Sequence, residues 1–182
     1  MLQYFALAVL SFVAIGSAVS PSNGFFRILN FENRSMDLHI VNPADFDPIS
    51  AIGSAPGQVA QKWFLSSTGV LNQFRISNAQ TGTFASYTTA FLENDPNHAQ
   101  LCAHPNSTLW NITASGAGFK IAEATFGLAI TAWDFQPPFP TSPLTLETFD
   151  SSQARQVFTF QACDRLIARF NTKPSDSYFR TK

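Results

Sequence analysis

Trp63-Phe64-Leu65 recurs as Trp110-Asn111-Ile112 and again as Phe158-Thr159-Phe160, at spacings of 47 and 48 residues. Out of phase with it runs a second unit, Phe-[Arg/Lys]-Ile, at Phe26-Arg27-Ile28, Phe74-Arg75-Ile76 and Phe119-Lys120-Ile121, spaced 48 and 45 apart. Two independent markers with one period indicate three structural repeats. In both units the outer residues flank a middle position that is usually polar, the period-2 pattern of a strand with one face on a core. This places Arg27, Arg75 and Lys120 toward solvent. Between the units lie Ser66-Ser67-Thr68-Gly69 and Ala114-Ser115-Gly116-Ala117-Gly118, which have the composition of hairpin turns.

Each repeat has room for two more short strands, one around Asp37-Leu38, Phe84-Ala85 or Leu128-Ala129, the other around Ile52, Leu101 or Leu146. The count becomes four strands per repeat and about twelve in all. Asn42 to Pro48, Asn94 to His98 and the proline cluster Phe135 to Pro143 read as loops. One repeat of this size cannot bury its apolar face alone. Three packed around an axis bury their aromatic residues against one another and remove most free strand edges. The expected fold is all-β, a β-trefoil of three four-stranded pseudo-repeats. A seven-strand sandwich leaves the threefold markers unexplained.

Composition agrees. The chain has 182 residues, 45% hydrophobic and 13% charged, with a net charge of −1, which excludes a disordered polyelectrolyte and a basic nucleic-acid binder. Nineteen Phe, eleven Pro and nine Gly favour short strands and turns over long helices. The charge is uneven: positions 1–163 carry 6 Lys and Arg against 10 Asp and Glu, and the remainder carries 5 against 2. Neither part is charged strongly enough to name a nucleic acid or a membrane as partner.

Met1 to Val19 holds no charged side chain, and the apolar run Phe5 to Ile15 precedes the small residues Gly16, Ser17 and Ala18. This reads as a secretory signal peptide over residues 1–18, too short an apolar run to span a bilayer comfortably. The globular domain then occupies residues 19–163, and the periodicity stops after Cys163. Residues 164–182 form a basic C-terminal extension. Export places Cys102 and Cys163 in an oxidising compartment, where a disulfide between them is expected; the alternative is two buried free thiols. Sequons at Asn33, Asn106 and Asn111 are candidate glycosylation sites, with Asn106, after Pro105 in a polar turn, the best placed.

Gln61-Lys62-Trp63 fits the Q-x-W signature of ricin B-type lectin domains, and Gln156-Val157-Phe158 is the same signature with Phe for Trp. The second copy, Thr108-Leu109-Trp110, keeps the Trp and loses the Gln. The chain thus resembles that family over roughly Gly24 to Cys163. The resemblance implies a β-trefoil, non-catalytic binding of galactose-type sugars, glycans or glycoproteins as partners, and up to three equivalent sites. It implies that the Q-x-W aromatics are mainly core residues. Sugar recognition in the family uses an Asp on the second strand, an aromatic platform on the third, and a polar residue before the Gln of the signature. Here Asp37 and Gln61 of the first repeat match, while Ala60 replaces the polar residue and no aromatic lies near Ile52. The second repeat has Ala85 or Ser86 and the third Ala129 in place of the Asp. Asp37 and Gln61 are the candidate carbohydrate contacts, and the remaining sites read as degenerate.

Enzymatic motifs are absent: no H-E-x-x-H, G-x-S-x-G, Walker A or dinucleotide fingerprint occurs. His98 and His104 near Asp95 read as turn histidines rather than a metal site. Asp45 and Asp47 lack the apolar shielding that separates the pKa values of a catalytic pair. No cofactor and no enzyme activity are expected. Two other readings stay open: a protease inhibitor inserting the stiff Phe135 to Pro143 or Asn42 to Pro48 loop into a cleft, and a scaffold without ligand.

Overall fold

The computed structural model describes residues 20–38, 46–88 and 96–163. The expected signal peptide, the basic extension, most of the Asn42 to Pro48 loop, and Asn94 and Asp95 lie outside the described residues. Twelve strands form in chain order: β1 (Gly24–Leu29), β2 (Arg34–Leu38), β3 (Ile49–Gly53), β4 (Trp63–Ser67), β5 (Gln73–Asn78), β6 (Phe84–Tyr87), β7 (Leu101–His104), β8 (Trp110–Ser115), β9 (Gly118–Glu123), β10 (Ala129–Ala132), β11 (Thr141–Glu147) and β12 (Thr159–Ala162). Short 3₁₀ turns at Val59–Gln61 and Ala154–Gln156 precede β4 and β12.

The pairing makes two layers. β1, β4, β5, β8, β9 and β12 pair in sequence and close on themselves, the last link being the bridge between Phe119 and Phe158. This barrel has no free edge. The hairpins β2–β3, β6–β7 and β10–β11 cap one end. They meet through the pairing of β3 with β11 and through the bridges Pro48 to Cys102 and Gln100 to Thr145. The arrangement is a β-trefoil.

The two sequence markers meet at one station in every repeat. Phe26 pairs with Trp63, Phe74 with Trp110, and Phe119 with Phe158. All three partner rings are essentially inaccessible to solvent, and Ile28, Ile76 and Ile121 are buried beside them. Trp63 donates its indole N–H to Met36 O at 2.9 Å, and Trp110 donates to Ala85 O at 3.1 Å. Phe158 has no such donor. It is approached instead by Gly118, where a Cβ would lie 2.5 Å from Phe158 O.

Arg27, Arg75 and Lys120 point outward, as the alternation requires, and each finds a surface partner. Arg27 donates to Ser54 and Gln161, Arg75 donates to Ser107, and the Lys120 ammonium lies 4.3 Å from the Phe149 ring centre. Both expected hairpin turns are present, between β4 and β5 and between β8 and β9.

Three expectations are corrected. The Phe135 to Pro143 segment is not loop throughout, because Thr141, Ser142 and Pro143 belong to β11 and pair with Ile52, Ala51 and Ser50. Proline is tolerated there because its carbonyl is what the ladder uses, accepting the Trp133 N–H at 3.1 Å. The described end of the Asn42 to Pro48 loop is likewise paired: Phe46 N–H donates to Ala103 O, and Asp47 O accepts from Ala103 N–H. Finally, Cys102 and Cys163 are free thiols. Cys102 is buried in β7 of the cap, opposite Ser86, and Cys163 directly follows β12 of the barrel with its N–H bound to Phe25 O. Burial pushes the Cys102 thiol up to about 11.

Candidate functional sites

Threefold geometry fixes which positions correspond. The carbonyls that accept the two indole N–H groups belong to Met36 and Ala85, so the next residues, Asp37 and Ser86, are equivalent; the matching pairings of Ser35, Phe84 and Ala129 with the preceding barrel strands put Thr131, rather than Ala129, in that place in the third repeat. Each stands near a hollow between its cap hairpin and the chain leading into the following barrel strand.

The first hollow, of about 410 Å3, is lined by Asp37, Gly53, Gln58, Gln61 and Gln80 among others, and no aromatic side chain lines it. Asp37 sits on β2 opposite Ser50 and is only 7% exposed. The carboxylate is therefore a buried member of the hollow rather than an exposed strand-end charge. Arg34 is turned elsewhere: it donates to Pro140 O at 2.6 Å and its guanidinium lies 4.1 Å from the Phe135 ring centre. Gln61 is buried, and both ends of its amide are engaged by backbone. Its oxygen accepts from Ala55 N–H at 2.8 Å, and its nitrogen donates to Gly53 O at 3.1 Å. Gln156 repeats this geometry, accepting from Asp150 N–H at 2.7 Å and donating to Thr148 O at 3.0 Å. The Gln of the signature thus ties down the turn ahead of the barrel strand. In the second repeat Thr108 replaces it and bonds Ser86 at 2.7 Å.

The second hollow, also about 410 Å3, is lined by Ser86, Tyr87, His104, Asn106, Thr108 and Glu123 among others. Glu123 is buried and its carboxylate accepts from Thr125 N–H at 2.8 Å and Phe126 N–H at 2.6 Å. Desolvation, with the Glu123 charge second, raises the Tyr87 pKa. Asn106 is exposed in the turn after β7, Asn33 is exposed in the turn between β1 and β2, and Asn111 is a half-buried residue within β8.

The third hollow, of about 220 Å3, holds Thr131, Trp133, Glu147, Asp150, Arg155 and Gln156. Thr131 has no carboxylate, and its hydroxyl accepts from Gln156 at 3.0 Å. Asp150 is held below the usual carboxylate range by the Ser152 N–H and then the Ser152 hydroxyl. Trp133 was not among the residues singled out from sequence. Its signal was present, since it is the one Trp of three that falls outside the 47-residue register and it precedes the proline cluster. The indole donates to Thr145 at 2.8 Å, Thr145 donates to Glu147 at 2.7 Å, and Glu147 pairs with His98 at 2.6 Å. His98, whose other ring nitrogen meets the Asn97 side chain at 3.1 Å, therefore continues a chain of side chains. No group of three or more potential metal ligands occurs among the described residues.

No family model and no curated protein sequence matches the chain. Solved structures match it in fold. The Rhizoctonia solani agglutinin superposes with a TM-score of 0.69 at 22% identity, covering 81% of this chain and all of that one. The Macrolepiota procera ricin B-like lectin, solved in complex with lactose, gives 0.64 at 16% identity over 80% of this chain and all of that one. A designed threefold-symmetric protein, ThreeFoil, gives 0.65 at 13% identity, covering 78% of this chain and all of that one. At these identities the likeness is one of fold.

Proposed function

We propose that the protein is a secreted, non-catalytic carbohydrate-binding β-trefoil that contacts a galactose-type sugar on a glycan or glycoprotein through Asp37. The observation that carries this reading is the lining of the first hollow, which the buried Asp37 shares with Gln58 and Gln80. An ionised carboxylate accepts two hydroxyl donors at once, and amides supply both donors and acceptors. Gln61 belongs to the frame of this site, holding the Gly53 to Ala55 turn at its rim. Without an aromatic face the first hollow depends on polar contacts, so binding there is weak and orientation-specific. The similarity to an agglutinin and to a lactose-bound lectin supports a sugar as ligand. Export through residues 1–18 and glycans on the exposed Asn33 and Asn106 belong to the same reading.

A glycan array probed with wild type and Asp37→Asn tests it. Loss of one charged hydrogen-bond acceptor is expected to weaken binding by roughly ten- to a hundredfold. Unchanged binding by the variant rejects Asp37 as the contact, and a wild-type chain that binds no glycan rejects the lectin reading. A protease inhibitor is the second reading. It is favoured by the Phe135–Pro140 connection, which Arg34 and Glu32 clamp at Pro140 O and Phe135 N–H and which presents Phe139 at 67% exposure. Inhibition of a serine or cysteine protease in a panel, with no glycan binding, selects it.

A further inference from the structure

Trp133 stands between two hollows. On one side is the small third-repeat hollow of about 220 Å3; on the other is a larger one of about 580 Å3, lined by Trp133, Asp134, Gln136, Phe139, Pro143 and Arg155 among others. Both share Trp133 and Arg155. Taken singly, the smaller lies below the roughly 300–1,000 Å3 usual for a small-ligand site, and the larger lies within it. We infer that the two act as one extended site in the third repeat, which takes a neutral oligosaccharide of two or more units laid across Trp133.

The indole is placed for that task. It is 40% exposed, yet its N–H is held by Thr145, which is held in turn by Glu147, so the ring keeps one orientation before any ligand arrives. The Arg155 guanidinium lies 4.9 Å from the ring centre and fixes it from a second direction. Phe139, exposed at the far wall, adds a second apolar surface. The same hollow is lined by an exposed carboxylate, Asp134, and by the exposed Gln136. A hollow that combines aromatic side chains with a carboxylate and an amide suits a ligand that has apolar ring faces and hydroxyl edges.

Charge decides against an anionic ligand. The paired hollows are lined by three carboxylates, Asp134, Glu147 and Asp150, of which Glu147 is shared with His98, against one guanidinium, Arg155, which is already stacked on Trp133. A sulfated or sialylated sugar would meet net negative charge there, whereas a neutral sugar meets acceptors for its hydroxyls. The extended site does not use the Asp37 station, so the third repeat, which lacks the carboxylate on β10, is functional through a different set of residues.

This inference rests on the carbohydrate-binding reading, and one experiment separates the two. Wild type, Trp133→Ala, Phe139→Ala and Asp37→Asn are applied to an array of neutral oligosaccharides graded from one to six units, with folding of each checked by thermal unfolding. The best binder is then titrated while tryptophan emission is followed. Trp63 and Trp110 are fully buried, so an emission shift reports Trp133. Expected are wild-type affinity that rises with chain length, a blue shift on binding that is absent in Trp133→Phe, and about tenfold weaker binding of the longer glycans by Trp133→Ala. Binding that is independent of length, or unchanged in the Trp133 and Phe139 variants while Asp37→Asn loses it, overturns the extended site and leaves the lectin reading standing. Absence of binding to every glycan by wild type overturns both.

Discussion

At the scale of single residues, the same aromatic station is built in two ways. Trp63 and Trp110 each satisfy a buried carbonyl of the cap with an indole N–H, which ties barrel to cap by a hydrogen bond as well as by packing. Phe158 lacks the donor, and the third repeat draws its barrel strands together instead, with Gly118 admitting the Phe158 carbonyl where no side chain fits. The backbone bonds between Phe119 and Phe158, both 2.8 Å, depend on that approach. Gly118→Ala is therefore expected to destabilise the fold by about 1–3 kcal/mol, the usual cost of overpacking. Thermal unfolding checks this, with a lowered midpoint expected. The equivalent positions, Phe25 and Gln73, carry side chains, so sequence comparison between the repeats marks Gly118 as different but not as necessary. Asp37 and Gln61 were legible as a pair. What spacing did not disclose is that Gln61 has both amide ends bound to the Gly53 to Ala55 turn, because that depends on how the chain folds back before β4.

At the scale of strands and turns, the alternation in Phe-[Arg/Lys]-Ile and in the aromatic units was enough to place the six barrel strands, since each has one face on the core and one outside. Cap strands were less legible. β2, β6 and β10 around Met36, Ala85 and Ile130 follow no simple alternation because both of their faces are buried, and β11, although it alternates, reads as loop from its proline until the partner Ser50 is known. The cysteines show the same dependence on topology. Two thiols in a chain expected to be exported suggest a bond, but one lies on a cap hairpin and the other directly follows the barrel strand β12. In native protein Cys163 is expected to react with a thiol reagent at neutral pH, while Cys102, buried and with its thiolate disfavoured, reacts only after denaturation. One label per native chain and two per unfolded chain is the expected result; no label in either state would restore the disulfide.

For the whole molecule, the threefold period carried the fold, because a repeat that recurs three times and cannot be buried alone specifies closure around an axis. It did not carry function equally. Threefold symmetry leads the eye to equivalent sites, and only the first of the three stations holds an Asp. The residue that breaks the symmetry, Trp133, opens the roomiest hollow described here, at about 580 Å3. Fold and site were thus legible by opposite features of the sequence, the first by what repeats and the second by what does not.

Every site assignment depends on Trp63, Trp110 and Phe158 closing one shared core. Calorimetric unfolding of Trp63→Ala, Trp110→Ala and Phe158→Ala tests this most directly. A single cooperative transition is expected in each variant, destabilised by about 3–5 kcal/mol as for large buried aromatics. A transition that splits so that only the altered repeat melts early, or a variant as stable as wild type, would contradict it.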